Sequence, residues 1–420
     1  MAPGGAGGWV AAHSGAFGRA FSNASYRTYQ SGNFLSLIGT WVNRIAVGWL
    51  AWELTHSGAW LGAIAAAELA PSILMGPIGG VVADRVDRLT VVRVTQSLMC
   101  LVAIAMAAGA FMGVMTPWLL FGLNLMAGLF VSFGQPARLS IVRALVRPAD
   151  LPAAVATNSV LWNGARFIGP AVAGALIASF GVGWAFAFNA ASYVIFMVAL
   201  LRLKLGPTLT ATAGRRQAGM FGDLAEGVRY VSRHPGIGPL LLLLVANAIT
   251  VRPYVELLPG FADAVFGRGV DGLAALTAAV GIGAIVAGVL VGDRDGVKGL
   301  SRLAVDAVLV LAGAAIIFAA TENFWIGLVG AALSGAAMVV SGVAMQTLIQ
   351  NAADPSLLSR VLSLYGLWMR AGPAAGALIM GAASEYVGLR APVIVGAMLC
   401  AAAWLWARVR LGRIRASLEE

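Results

Sequence analysis

The chain has 420 residues, of which 60% are hydrophobic and 11% charged, and its 28 lysines and arginines against 18 acids give a formal net charge of +10. A water-soluble domain is nearer a quarter charged, so this composition excludes a soluble globular protein. The apolar runs are continuous and do not alternate, which excludes a β-barrel and leaves the helix as the way to satisfy backbone polar groups in lipid.

Taken in order, residues 1–29 are expected to form a tail, of which 1–20 are rich in glycine and alanine and lack the charged head and apolar core of a cleaved signal. Six apolar segments long enough to span a bilayer follow, at about 30–53, 59–83, 90–112, 118–135, 153–180 and 184–203. The stretch 204–238 is the only long polar segment. In it Phe221, Leu224, Val228 and Val231 recur at helical spacing opposite Asp223, Glu226, Arg229 and Arg233, which predicts an amphipathic helix on the inner membrane surface. Six more spans are predicted at 240–259, 273–291, 300–320, 324–349, 358–386 and 391–408, before a short tail, 409–420. The expected fold is an all-α membrane protein with twelve transmembrane helices in two pseudo-symmetric six-helix bundles, 30–203 and 239–408.

The position of each charge explains the pI of about 10.4. With the N-terminus placed in the cytoplasm, all but six of the 28 basic residues fall on the inner side. Arg268 and Arg390 lie in outer loops, and Arg44, Arg166, Arg252 and Arg370 lie within spans. The positive-inside rule then sets both termini in the cytoplasm and removes any need for a nucleic-acid partner. Cys100 and Cys400 occupy apolar segments in different halves and read as buried thiols.

The two halves repeat. Asn158-Ser-Val-Leu-Trp-Asn-Gly-Ala-Arg166 leads to Gly169, Pro170 and Gly174, and Leu364-Tyr-Gly-Leu-Trp-Met-Arg370 leads to Gly372, Pro373 and Gly376, with the glycine-proline pairs 203 positions apart. Duplicated six-helix halves are an architecture in which a substrate site forms near the midplane and access alternates between sides.

Between the second and third spans the chain reads Gly80-Val-Val-Ala-Asp84-Arg85-Val-Asp87-Arg88, and a worn copy, Gly288-x-x-x-Gly292-Asp293-Arg294, recurs in the second half. This loop resembles the loop between helices 2 and 3 of the major facilitator superfamily of secondary transporters, although Asp87 stands where glycine is usual and Leu89 where a basic residue is usual. The Asp-Arg-x-Asp-Arg form is similar to the transmembrane secretion effector branch, which contains the enterobactin exporter. The resemblance spans about residues 29–408. It implies an inner-gate latch made by Asp84, Arg85 and Arg88 beside Gly80, with Asp293 and Arg294 as the second-half counterpart. It also implies helix bending and close packing at Gly169, Pro170, Gly174, Gly372, Pro373 and Gly376.

Ionisable groups inside the hydrocarbon are candidates for function because they are costly there. Glu68 lies mid-span among alanines and suits a proton-carrying carboxylate. Arg44, beside Asn43, reads either as its partner or as a contact for an anionic substrate group. Arg166 and Arg370 precede the two glycine-proline pairs. Trp162, Asn189, Tyr193, Asn247 and Trp368 are further candidates for lining a substrate site. Arg252 and Glu256, one turn apart, are expected to pair locally. Proton-exchanging members of the superfamily often carry an arginine in the fourth span, where this chain has Asn124 and Gly128.

The expectation is a monomeric secondary transporter of the bacterial inner membrane, in contact with membrane lipids. It exports a small organic molecule, drug-like or a siderophore, with no bound cofactor and with coupling to the proton gradient. A lysophospholipid or other lipid flippase and a transport-dead receptor are the alternatives; no catalytic constellation or nucleotide-binding motif points to an enzyme. Green fluorescent protein fused to the C-terminus is expected to fluoresce and alkaline phosphatase at the same point to stay inactive, whereas the reverse pattern would invert the topology.

Overall fold

The computed structural model describes residues 23–147, 150–203, 220–292 and 296–419, apart from the side chains of 76–78, 80–81, 83–85, 139, 152, 159, 220–221, 223–224 and 292. In chain order the helices are α1 (Ala24–Thr55), α2 (Gly58–Arg85), α3 (Arg88–Phe111), α4 (Pro117–Leu145), α5 (Leu151–Phe180), α6 (Val182–Arg202), α7 (Met220–Arg233) and α8 (Ile237–Thr250). They continue as α9 (Gly269–Gly292), α10 (Leu300–Ala320), α11 (Phe324–Ala352), α12 (Leu358–Val387), α13 (Arg390–Val409) and the short α14 (Leu411–Leu418). Among the described residues, 11 helices are long and apolar enough to cross a bilayer. The remaining long helix, α12, has 30 residues interrupted by Arg370 and by small and polar side chains. With α12 the chain holds the twelve spans of the expected all-α membrane fold.

Local chemistry sets where these helices stop and bend. Gly181 after α5 and Gly388 after α12 both take a left-handed backbone, at φ of 90° and 74°, which a residue with a Cβ adopts only under strain. The seventh span runs Ile237–Val265 but is not one helix. After Thr250 it tightens into a 3-10 turn, Arg252–Leu257, and then widens into a π turn, Phe261–Val265. Pro253 and Pro259 lack the N–H that a continuous ladder needs there.

The described residues form two compact units, one of those within 1–46, 74–115 and 122–214 and the other of those within 47–73, 116–121 and 215–420. In the first, Tyr26 and Tyr29 of α1 are buried with Leu89 and Val92 of α3, Ile141 of α4 and Phe196 and Leu200 of α6. The Tyr29 and Phe196 rings meet edge-on at 5.5 Å. In the second, fully buried Phe318 of α10 gathers the rings of Phe261, Tyr254 and Phe266 at 4.8, 5.2 and 5.7 Å. The Tyr254 hydroxyl bonds to Ser334 of α11.

The amphipathic segment is α7, with Val231 buried and Arg229 and Arg233 exposed. It docks on the start of α12 through an ion pair from Arg360 to Glu226 at 3.0 Å. The Asp354 N–H donates to the Tyr230 hydroxyl at 3.2 Å, joining α7 to the turn before α12.

Close helix approach in the second unit depends on glycine. A methyl group at Gly283 of α9 would overlap the Ala332 carbonyl oxygen of α11, and one at Gly335 of α11 would overlap the Val280 carbonyl oxygen of α9. Each glycine lets the other helix's backbone in, as small residues do between membrane helices. Gly283→Leu and Gly335→Leu are each expected to cost at least about 1–3 kcal/mol and to lower the thermal midpoint in detergent. Gly313→Ala, in α10 with nothing within 4 Å, is expected to leave the midpoint unchanged or raise it.

Candidate functional site

The first unit concentrates charge on one indole. Helices α1 and α5 cross where Gly169 meets Trp41 so closely that any Cβ at 169 would overlap the Trp41 side chain. That approach brings the next turn of each helix to the same ring. The Arg44 guanidinium lies 5.8 Å from the Trp41 ring centre and that of Arg166 5.5 Å. Trp162, one turn before Arg166, presents an edge to Trp41 at 6.0 Å and 71°. The indole N–H of Trp41 and the side-chain oxygen of Asn43 are buried without a hydrogen-bond partner among the described residues.

A cation–π contact contributes about 0.5–2 kcal/mol, less than the few kcal/mol that a guanidinium costs within a span. Chemically, two guanidinium groups and an indole suit an anionic group joined to an aromatic or apolar body.

The other sequence candidates are distributed differently. Asn189 and Tyr193 on α6 are buried, Asn189 at 1% exposure with its side-chain oxygen unpartnered among the described residues. Gly39 of α1 packs on Asn189 and Ser192, and the Tyr193 hydroxyl lies 3.5 Å from Thr40 Oγ1. These residues join α1 to α6. Asn247 on α8 is 1% exposed with neither amide atom partnered among the described residues. Glu68 on α2 is half-buried.

On α12, Trp368 is half-buried and Arg370 exposed. In the register of the glycine-proline pairs Arg166 matches Met369, and Arg370 falls one position further on. Gly372 packs on Ala248 and Gly376 on Ile249 and Pro253, so the duplicated motif joins α12 to the seventh span as Gly169 joins α5 to α1. Pro170 and Pro373 lie inside α5 and α12, and Gly174 is buried.

Of the charged loop, the side chains of Gly80, Asp84 and Arg85 lie outside the described residues, as do Asp293 and Arg294. Arg88 begins α3. Asp87 is the N-cap of α3, accepting from the Thr90 N–H and hydroxyl at 2.8 Å each. Partial burial works against the Asp87 charge, but those bonds outweigh it and hold the carboxyl below its ordinary value. Arg93, one turn further, donates to the Leu200 carbonyl at 2.8 Å and so caps the end of α6.

Three polar features carry weight that the sequence reading did not assign. Arg138 of α4 donates to Asn33 of α1 at 2.6 Å and sits 4.9 Å over the Phe196 ring. Asn33 continues through Gln30 to Tyr26 within α1. Polar residues at four- and three-residue spacing, Tyr26, Gln30 and Asn33, are the signal in the sequence.

At the α1–α2 turn, within the second unit, Glu385 of α12 accepts from the Ser57 hydroxyl at 2.8 Å and the Ala59 N–H at 3.1 Å. Trp52 donates to Asp263 at 2.9 Å, and Gly62 packs on the Ala377 carbonyl. The ends of two first-half helices are thus clasped to second-half helices by a few hydrogen bonds and glycine contacts.

Glu419, after α14, accepts from the N–H groups of Gly299 and Ser301 at 2.9 and 2.8 Å and caps α10. Burial opposes its charge, yet these bonds and Arg415 keep its carboxyl below the usual value.

Spanning helices built from duplicated halves, with guanidinium groups held inside the span, are the make-up of a membrane transporter. The chain matches the family model described as transmembrane secretion effector over residues 16–419. It belongs to that family, a branch of the major facilitator superfamily. It is 27% identical over 369 residues to the enterobactin exporter EntS of Shigella boydii serotype 4, covering 86% of this chain and 85% of the relative. It is also 27% identical over 203 residues to the uncharacterised transporter YfiS of Bacillus subtilis, covering 48% of each.

Among solved structures, a bacterial homologue of the human lysosomal transporter Spinster, inward-facing and unoccupied, is similar with a TM-score of 0.70 at 16% identity, covering 94% of this chain and 97% of that one. The nucleoside transporter NupG is similar with a TM-score of 0.68 at 15% identity, covering 92% and 98%. At these identities the two structures establish the fold and nothing about substrate.

The capping chemistry gives a pH test. Because Asp87 has a lowered pKa in the folded chain, its contribution is present above the ordinary carboxylate value of about 4 and is lost as pH falls through the lowered value. Asp87→Ala is expected to cost about 1 kcal/mol at pH 7, and the difference in thermal midpoint from the parent protein should close as the pH falls below about 4. A difference that persists unchanged into acid would show that Asp87 does not act as a charged cap.

Proposed function

We propose that the chain is a secondary active transporter that exports a small organic molecule, drug-like or siderophore-like, by alternating access and in exchange for protons. The observation that carries this reading is the pairing of Arg44 and Arg166 on the Trp41 ring. Two guanidinium groups held within the span by a glycine contact suit binding of a polar or anionic cargo on its way through lipid. The kinship with the enterobactin exporter supports export of an organic molecule of that kind.

Alternating access needs seams that close firmly and open without unfolding. The Trp52–Asp263 and Glu385 bonds, with glycine packing beside them, support this reading because polar contacts over small residues can be exchanged without unfolding. Glu68 is the proposed proton carrier, since a half-buried carboxylate in a span can take up and release a proton as its surroundings change. Asp84, Arg85 and Arg88, with Asp293 and Arg294, form the proposed inner latch. The distribution of lysine and arginine supports both termini in the cytoplasm, and the chain is proposed to work as a monomer in the bacterial inner membrane with bundles at 30–203 and 239–408.

The test is transport into inside-out vesicles carrying the full chain, with an acid-inside gradient imposed and enterobactin and ethidium as probes. Gradient-dependent accumulation of at least one probe is expected. Glu68→Gln should reduce it at least tenfold, and Arg44→Ala or Arg166→Ala should raise the KM for an anionic probe. Flux indifferent to the gradient or to Glu68→Gln would remove the coupling claim, and no flux of any probe would remove the export claim.

A further inference from the structure

The glycine-proline register has a consequence in the second unit. Shifting Trp162 and Arg166 by the same 203 positions lands on Tyr365 and Met369 of α12. Facing that pair, on the 3-10 turn of the seventh span, is Arg252. Its guanidinium donates to the Met369 thioether at 3.2 Å, and Tyr365 is its electrostatic neighbour. The Tyr365 ring is fixed by its hydroxyl, which donates to the Gly342 carbonyl of α11 at 3.0 Å. Gly376, packed on Ile249 and Pro253, holds α12 against the turn that presents the arginine.

A guanidinium has five N–H donors, and a thioether is a weak acceptor. Among the described residues Arg252 has no other hydrogen-bond acceptor, and the expected pairing with Glu256 is not among its hydrogen bonds or ion pairs. It is partly exposed and lies inside a membrane span. A cation so placed, with donors to spare and a phenol and a thioether beside it, is arranged to receive a charged group joined to a flat apolar body.

We infer that Arg252, Tyr365 and Met369 form a second docking subsite, for the carboxylate or similar anionic end of an aromatic molecule. It is the second-half counterpart of the Trp41, Arg44, Trp162 and Arg166 cluster. The inference rests on the transport reading only for the idea that the ligand is cargo; binding itself is independent of flux.

The test uses the full chain in phosphatidylcholine nanodiscs, with Cys100 and Cys400 replaced by alanine and Gly366→Cys introduced as a reporter one turn before Met369, where an added Cβ meets nothing within 4 Å. Modification of the new thiol by N-ethylmaleimide is followed with 2-naphthoate or its neutral isostere 2-naphthamide present. At saturating 2-naphthoate the rate is expected to fall at least fivefold, and with 2-naphthamide less than twofold. Adding Arg252→Gln should abolish the protection, and Arg252→Lys should retain part of it.

Equal protection by the two probes, or protection unchanged by Arg252→Gln, would overturn the subsite. Should Arg252→Gln not fold, the contrast between the two probes in the Arg252 protein decides the matter alone. Repeating the measurement in phosphatidylglycerol nanodiscs separates cargo from lipid: protection lost there would assign the anion to a headgroup and overturn the cargo subsite. Protection that depends on Arg252 in a chain that moves no probe would leave the subsite standing and count against transport.

Discussion

A guanidinium carried into hydrocarbon costs a few kcal/mol, and this chain keeps Arg44, Arg166 and Arg252 inside its spans all the same. Each is held by soft or aromatic neighbours, the Trp41 indole for the first two and the Met369 thioether for the third.

The positioning of these groups depends on backbone contact more than on side-chain bulk. Gly169 lets α5 reach Trp41, and Gly372 and Gly376 let α12 reach the broken seventh span. In the first half the glycine beside a proline lets α5 touch α1 and brings Arg166, one turn away, to Trp41; in the second the residue one turn before Gly372 is Met369, which meets Arg252 of the seventh span. The seventh span adds a second device, because its tightened turn at Arg252–Leu257 re-aims side chains that a continuous helix would place elsewhere.

The polar chemistry outside the spans serves a different purpose. Asp87, Arg93 and Glu419 satisfy helix ends, and the lowered pKa values of the two carboxylates express how many N–H groups point at them. Asp87 departs from the residue usual in its superfamily loop, and its bonds to Thr90 give that departure a local reason. The clasp of Glu385 on the α1–α2 turn uses the same chemistry between distant parts of the sequence, with 326 residues separating Glu385 from Ala59.

Much of this was legible in the chain itself. Apolar length dictates twelve spans, because lipid accepts no other backbone solution for such runs, and the position of lysine and arginine orders the loops. The recurrence of glycine-proline announces the duplication and hence the fold. Intramembrane charge marks Arg44 and Arg166 before any coordinate is known, since hydrocarbon penalises it wherever it sits. What the tertiary structure alone decided is which side chains share a neighbour. Trp41 joins two arginines from helices more than a hundred residues apart, Arg138 finds Asn33, and Arg252 turns to Met369 and Tyr365 in place of the adjacent Glu256. Helix periodicity specifies a face but not the partner opposite it; that depends on how closely two backbones approach, and a glycine's effect there is visible only when both helices are in place.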